Sequence, residues 1–169
     1  TQPVGPTGMK NYELQGYPFP IPNNGLEAIW NHIARWRGDA LDRYAGQVTP
    51  LANGAYSMVM FRDQVAVANK LTDYEPGKDD NVLFYGKQVV TAPSRLAGNV
   101  LLVHETLDQV KEPRRAWIYN AGQRRVRRAP QVAYDGPGTA ADGMRTADNY
   151  DLYNGSPDRY EWTLKGKRE

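Results

Sequence analysis

The sequence predicts an α+β, β-rich fold, in which an antiparallel sheet packs on one face against a single helix. One segment near residue 30 carries apolar residues at helical spacing, whereas the segments after residue 55 have strand-like patterns. Glycine and proline number 16 and 12 among 169 residues, which favours short elements joined by turns. Such a sheet buries one face against a helix and leaves the other face in water.

The first 22 residues are expected to be extended, because their prolines exclude a helix. The prolines are Pro3, Pro6, Pro18, Pro20 and Pro22. The chain begins at Thr1 without a signal-peptide pattern and ends directly after a strand-like pattern. We therefore expect a fragment of a longer protein, with any signal peptide removed.

The segment from Asn24 to Trp36 is predicted to be the main helix. Asn24 is a suitable N-cap, and Glu27 follows three residues later, as in a capping box. Four apolar residues share one face of this helix: Leu26, Ile29, Trp30 and Ile33. Trp30 and Ile33 are expected to pack against the sheet. A short second helix is predicted near Asp39 to Tyr44.

The segments after Ala55 are predicted to be strands. Arg62 to Gln64 is interpreted as a hairpin turn, and Asn120 to Gln123 as another. The predicted strands are Tyr56–Phe61, Val65–Ala68, Val82–Ala92, Asn99–Leu107, Ala116–Tyr119, Arg124–Arg128 and Tyr160–Lys165.

Composition and motifs exclude several classes of function. The net charge of +2 gives no field typical of a nucleic-acid binder, and no apolar run is long enough to span a membrane as a helix. There are no cysteines, and no nucleophile motif or phosphate-binding loop is present. His32 and His104 lack metal-binding spacing, so both are interpreted as structural. We expect no metal, no cofactor and no catalytic residue.

A basic hairpin is the most conspicuous motif. Its arginines are Arg124, Arg125, Arg127 and Arg128. One interpretation is structural: a charged edge strand, or ion pairs with the acidic segment that contains Asp148, Asp151 and Asp158. The other interpretation is functional, since guanidinium groups bind phosphate, carboxylate or an acidic partner protein.

Bulky soft side chains are expected to lie on the faces of the predicted elements. They are Trp30, Ile33, Met58, Met60, Trp117, Tyr119, Tyr160 and Trp162. The simpler interpretation is a core between sheet and helix. The alternative is an apolar binding site, because a curved sheet lined by such side chains can hold an acyl chain.

Several long motifs resemble one family. They are residues 16–22, 25–32, 92–98, 112–117 and 122–130, which include Gly-Tyr-Pro-Phe-Pro-Ile-Pro and Gly-Gln-Arg-Arg-Val-Arg-Arg-Ala-Pro. Together they resemble the DUF1329 family of Gram-negative bacteria, whose function is unknown. The resemblance covers nearly the whole chain.

That family is in turn similar to carriers that sort lipoproteins to the outer membrane. The resemblance implies a curved sheet or incomplete β-barrel with a helix on its concave face. Residues 23–169 would then form one half-barrel domain, preceded by the lead-in of residues 1–22. It also implies a location in the periplasm or on the periplasmic face of the outer membrane.

Two functions are left open by the sequence. The first is a carrier that binds a lipid or another hydrophobic small molecule, with basic residues orienting an acidic group. The second is an accessory subunit of an envelope export or assembly system, which docks a partner protein through the basic hairpin. An enzyme ranks last, because no nucleophile–base pair is visible.

Overall fold

A computed structural model describes residues 2–3, 9–10, 16–78, 80–109, 111–129, 132 and 134–168. It contains a helix, α1 (Gly25–Ile33), and a two-stranded sheet of β1 (Gln2–Pro3) and β2 (Met9–Lys10). The main sheet has six strands: β3 (Ala40–Pro50), β4 (Tyr56–Val67), β5 (Val82–Ala92), β6 (Val100–Thr106), β7 (Arg115–Asn120) and β8 (Arg125–Arg128). Two short 3-10 turns span Ala68–Lys70 and Pro157–Arg159.

The main sheet is an antiparallel meander in which each strand pairs with the next one along the chain. It is curved and does not close, because β3 and β8 lie at opposite edges of the strand order. The predicted fold class, a curved unclosed sheet with a helix packed on it, is confirmed.

Paired residues in an antiparallel sheet point to the same face, so the strand register defines two faces. The inner face, as we call it, includes Leu41, Arg43, Asp63, Val65, Val67, Phe84, Gln88, Leu101, Val103, Glu105, Ala116, Ile118 and Arg127. The outer face includes Tyr44, Met58, Met60, Arg62, Tyr85, Leu102, His104, Trp117 and Tyr119.

Helix α1 begins as its capping pattern predicts and packs on the inner face. The Asn24 side chain accepts a hydrogen bond from the Glu27 backbone N–H at 2.9 Å, and the Glu27 carboxylate accepts from the Asn23 N–H at 2.7 Å. Trp30 has no exposed surface and clusters with Ile33, Leu83 and Leu107. Phe84 packs against the same cluster. The β5 register shifts between Val82 and Phe84, and a bulge of this kind turns two consecutive residues to one side.

Two local predictions near the start of the sheet are wrong. Asp39 to Tyr44 forms no helix, because Ala40–Pro50 pairs along its whole length with β4. Arg62 to Gln64 is not a turn but the middle of a 12-residue strand. Polar residues are stable there because neighbouring strands supply partners: Arg62 donates to Asp42 on the outer face, and Asp63 accepts from Gln88 on the inner face.

The predicted strand Tyr160–Lys165 is also wrong, since this segment forms no strand. Its backbone crosses the start of α1 instead, and Tyr160 and Leu164 are exposed. The Trp162 indole folds back and donates to the Pro157 carbonyl at 2.9 Å. A Cβ at Gly25 would overlap the Trp162 carbonyl, so glycine lets the chain cross the start of α1.

The arginine hairpin forms with a shorter second strand than predicted. β8 begins at Arg125, whereas Arg124 lies in the preceding turn with a left-handed φ of 52°. Much of the predicted lead-in, residues 1, 4–8 and 11–15, lies outside the described residues. The division at residue 22 therefore stays a prediction.

Trp30→Ala should lower the free energy of unfolding by about 3–5 kcal/mol, because it leaves a large cavity between α1 and the sheet. Trp36→Ala is the matched control, since that ring is 61% exposed, and it should cost less than about 1 kcal/mol. Denaturant unfolding of both variants measures the difference. Equal costs would show that α1 does not hold the sheet through Trp30.

Candidate functional site

The inner face is only partly covered, and the uncovered part forms a cavity of about 720 Å³. At one end, α1 packs over Leu83 and Leu107. Toward the other end, Val59, Phe61 and Val90 form a second apolar cluster with Leu96 and Ala140. The cavity lies between these clusters, across the middle of the inner face.

The floor of the cavity is mainly apolar. Val65, Leu101, Val103, Ala116 and Ile118 come from β4, β6 and β7 and all point to the inner face. Gly86 also lies in this floor and leaves more room than any side chain. Leu41, Val67, Phe84 and Ile33 extend the apolar lining toward α1.

Residues 134–154, which we call the cover segment, lie over the cavity and are fastened to the sheet and to α1. The Gln47 side chain of β3 donates to the Ala140 carbonyl, and Arg43 donates to the Tyr150 hydroxyl at 3.1 Å. On the helix side, a His32 ring nitrogen lies 2.8 Å from the Asp151 carbonyl oxygen. The carboxylate of Asp151 also binds Arg35 at 2.7 Å.

A buried ion pair forms part of the cavity lining. The Arg114 guanidinium lies 2.6 Å from the Glu105 carboxylate, and their side chains are 5% and 1% exposed. Arg114 also donates to the backbone carbonyls of Val132 at 2.8 Å and Asn154 at 2.6 Å. One guanidinium therefore joins β6 to the chain just before the cover segment and to the last residue of that segment.

A second polar group lies within the floor. The Asp63 carboxylate is almost fully buried, and it accepts from Gln88 at 2.9 Å and from Arg43 at 3.3 Å. All three side chains point to the inner face and line the cavity. The carboxylate is thus paired by its neighbours on both adjacent strands.

Basic side chains outnumber acidic ones around the cavity. The lining includes six basic residues on the cavity's side of the sheet: Arg35, Arg37, Arg43, Arg114, Arg127 and Arg145. Lys87 and Arg128 also border the cavity, but the register places both on the outer face. Its acidic residues are Asp63, Glu105 and Asp151. The whole chain is nearly balanced, with 21 basic and 19 acidic residues. The cavity therefore carries a local positive charge that the composition does not show.

Most of the apolar residues proposed from sequence lie away from the cavity. Ile33 lines it, whereas Trp30 is enclosed in the helix cluster. The strand residues Met58, Met60, Trp117 and Tyr119 point to the outer face instead. The sheet separates that face from the cavity.

Tyr160 and Trp162 lie together against Tyr153, with ring centroids 5.0–5.8 Å apart. The Tyr160 hydroxyl donates to Asp148 at 3.1 Å, and this bond to a carboxylate raises the tyrosine pKa. Neither ring lines the cavity. Their contacts with Tyr153 hold residues 160–162 where the chain crosses Gly25 at the start of α1.

The four hairpin arginines differ in their position relative to the cavity. Arg127 and Arg128 border the cavity, whereas Arg124 and Arg125 do not. Arg127 donates to Gln123 at 3.1 Å. Within the described part of the chain none of the four pairs with a carboxylate, since Asp151 binds Arg35 and Arg37 instead. The interpretation as internal ion pairs is therefore wrong for these arginines.

Sequence reasoning missed the principal cavity residues for identifiable reasons. Val65, Leu101, Val103, Ala116 and Ile118 are ordinary strand residues, and only the register places them on one face. The cover segment is rich in Gly, Ala and Asp and has no apolar periodicity. Its composition holds no signal for the side of the sheet on which it lies.

The histidines have structural surroundings. His104 points to the outer face between Tyr85 and Trp117, with ring centroids 4.7 and 4.8 Å away. Burial and the nearby Arg115 lower the pKa of His104. The described residues contain no group of three or more side chains suited to hold a metal ion, and the expected absence of a metal stays a prediction. They also contain no helix long and apolar enough to cross a membrane.

Comparisons with known proteins give one consistent family. The model of the DUF1329 family, proteins of unknown function, matches residues 4–169. An uncharacterized protein of Pseudomonas aeruginosa is 66% identical over 165 residues, which cover 98% of this chain and 36% of that protein. The chain therefore spans about a third of this relative.

A solved structure supports the fold. The crystal structure of a DUF1329 family protein from Desulfovibrio piger superposes with a TM-score of 0.54 at 18% identity. The match covers 76% of this chain and 48% of that one. At this identity the likeness concerns the architecture alone.

Glu105→Ala should destabilise the fold by about 3–5 kcal/mol, because it leaves the Arg114 guanidinium buried without its partner. Lys78→Ala breaks an ion pair with Glu75 whose side chains are 68% and 62% exposed, and it should cost less than about 1 kcal/mol. Denaturant unfolding compares the two. A Glu105→Ala variant as stable as the control would show that the buried pair does not hold the cover segment.

Proposed function

The chain belongs to the DUF1329 family, and we propose that it binds an apolar, lipid-like molecule in the cell envelope and carries it without chemical change. The observation that supports this is the cavity of about 720 Å³ with its apolar floor. Pockets for small molecules usually measure about 300–1,000 Å³ and combine an apolar lining with a few polar groups. The inner face offers this combination.

The position of the cavity also favours a binding role. The middle of the inner face lies between two apolar clusters, and the cover segment touches its edges rather than filling it. Val103 and Leu101 thus have apolar surface available for a ligand. Burial of such surface contributes about 25 cal/mol of favourable free energy per Å², from which the entropic and desolvation costs of association are subtracted.

Binding without catalysis is proposed because the cavity carboxylates are already paired. Asp63 lies against Arg43 and Gln88, and Glu105 lies against Arg114. A carboxylate whose oxygens are already engaged by protein donors is poorly placed to act on a substrate. These groups fasten strands and the cover segment together.

The periplasm, or the periplasmic face of the outer membrane, is the proposed location. The relatives come from Pseudomonas aeruginosa and Desulfovibrio piger, which fits an envelope protein of Gram-negative bacteria. The absence of cysteine makes the fold independent of disulfide formation in that compartment. A lipid-like cargo is consistent with traffic between two membranes.

A second candidate function is docking of an envelope protein on β8. Every residue of this strand is exposed, and it lies at an edge of the main sheet. An edge strand can add a strand from a partner, and its arginines favour an acidic one. The carrier role is preferred, because it also accounts for the cavity.

The fluorescent apolar probe N-phenyl-1-naphthylamine should bind the parent protein saturably, with increased emission. Val103→Trp places an indole in the floor of the cavity and should weaken this binding about tenfold, a loss of about 1.4 kcal/mol. Leu102→Trp is the matched control, since Leu102 points to the outer face of the same strand. It should leave the affinity unchanged.

Thermal melting of each tryptophan variant verifies that it is folded before the titration is compared with the parent. Absence of saturable probe binding by the folded parent would contradict the carrier role. So would equal affinities of the two variants. In that case, the second candidate function, docking of an acidic partner strand on β8, would be favoured over the carrier role.

A further inference from the structure

The arginines around the cavity differ in their counter-ions. Arg35 and Arg37 share the Asp151 carboxylate at 2.7 and 2.6 Å. Arg43 lies 3.3 Å from Asp63, and the buried Arg114 pairs with Glu105. Each of these guanidinium groups is thus at least partly neutralised by the protein itself.

Arg145 lines the same cavity but has no carboxylate partner in the part of the chain that the structure describes. Arg127 and Arg128 also lack one there, but both are exposed on β8, whereas Arg145 is half-buried. Its guanidinium donates to the carbonyls of Thr146 at 3.3 Å and Thr139 at 3.4 Å, and to the Gln47 side chain at 3.4 Å. All three bonds are longer than usual for N–H···O contacts. These neutral acceptors orient the guanidinium without neutralising its charge.

The surroundings of Arg145 penalise its uncompensated charge. Burial lowers the pKa of Arg145, and the Tyr150 side chain offsets this only in part. The guanidinium carbon lies 5.4 Å from the centroid of the Tyr150 ring. A half-buried cation without a counter-ion gains more free energy from contact with an anion than a fully solvated cation does.

Tyr150 adds a donor beside this guanidinium. It also lines the cavity, and its hydroxyl oxygen accepts a hydrogen bond from Arg43 at 3.1 Å. Its own hydrogen donates to no acceptor among the described residues. The hydroxyl is therefore held by Arg43 and keeps a hydrogen for a ligand.

We propose that Arg145 and the Tyr150 hydroxyl form an anion subsite, so that the molecule in the cavity is an amphiphile with an acidic head group. The head group lies at the β3 side of the cavity, beneath the cover segment, and the apolar part lies on Val65, Leu101 and Val103. A carboxylate and a phosphate share the required chemistry, since both accept the parallel N–H groups of a guanidinium. This inference rests on the proposed carrier function.

Two fluorescent probes with one apolar framework separate the subsite from the cavity. 8-Anilinonaphthalene-1-sulfonate differs from N-phenyl-1-naphthylamine by a single sulfonate. The parent protein should bind the sulfonate probe more tightly than the neutral one. This preference should decrease with added salt, because the contact is partly exposed.

Arg145→Gln should weaken binding of the sulfonate probe about tenfold or more, the usual scale for a hydrogen bond to a charged group, and should change the neutral probe less than about twofold. Arg145→Lys keeps the charge but loses the planar fork, so it should lose only part of the preference. Arg95→Gln is the control, since Arg95 is exposed and does not line the cavity.

The outcomes distinguish the subsite from the carrier role. If the neutral probe binds but the variants keep the parent's ratio of affinities, the anion subsite is overturned and the cavity stands. If neither probe binds the folded parent, both proposals fail. Should Arg145→Gln not fold, Arg145→Lys decides alone, because an unchanged ratio in that variant also overturns the subsite.

The source of the acidic group is tested by competition. Dodecanoate and dodecyl phosphate carry the same chain, and dodecanol is their neutral counterpart. Displacement of the sulfonate probe by dodecanoate alone assigns a carboxylate, and displacement by dodecyl phosphate alone assigns a phosphate. Equal displacement by dodecanol would overturn the subsite.

Discussion

The buried ion pair between Glu105 and Arg114 is the interaction on which the arrangement of the site depends. Two side chains with 1% and 5% exposure hold opposite charges 2.6 Å apart. The same guanidinium binds the backbone at Val132, just before the cover segment, and at Asn154, its last residue. Because an unpaired buried charge is costly, this contact fixes the chain over the sheet and leaves the space beneath it open.

The sequence predicts the architecture better than the site. Helix α1 is evident from Asn24, Glu27 and the spacing of its apolar residues, and the apolar strands are recognisable from their composition. Arg62 to Gln64 misleads, because polar residues within a strand resemble a turn until their cross-strand partners are known. The segment around Trp162 misleads in the opposite sense, since its apolar and polar residues alternate although it pairs with no strand and crosses the start of α1.

The site itself depends on facts that a single sequence does not contain. Met58 and Trp117 are the more conspicuous residues, yet the register turns them outward, whereas Val103 and Ile118 point inward. A shift of one residue in the register would reverse this assignment. Arg145 appears unremarkable among loop residues. Its significance depends on a cover segment that brings it to Tyr150 and on the distribution of carboxylates elsewhere.

Native mass spectrometry of the protein isolated from a Gram-negative envelope tests the carrier account most directly. The account predicts a population heavier than the bare chain by the mass of a small molecule. Collisional activation should release this molecule, and organic extraction should recover it as an acidic amphiphile. The account would be contradicted if only the mass of the bare chain were detected, both for the protein as isolated and after incubation with dodecanoate or dodecyl phosphate.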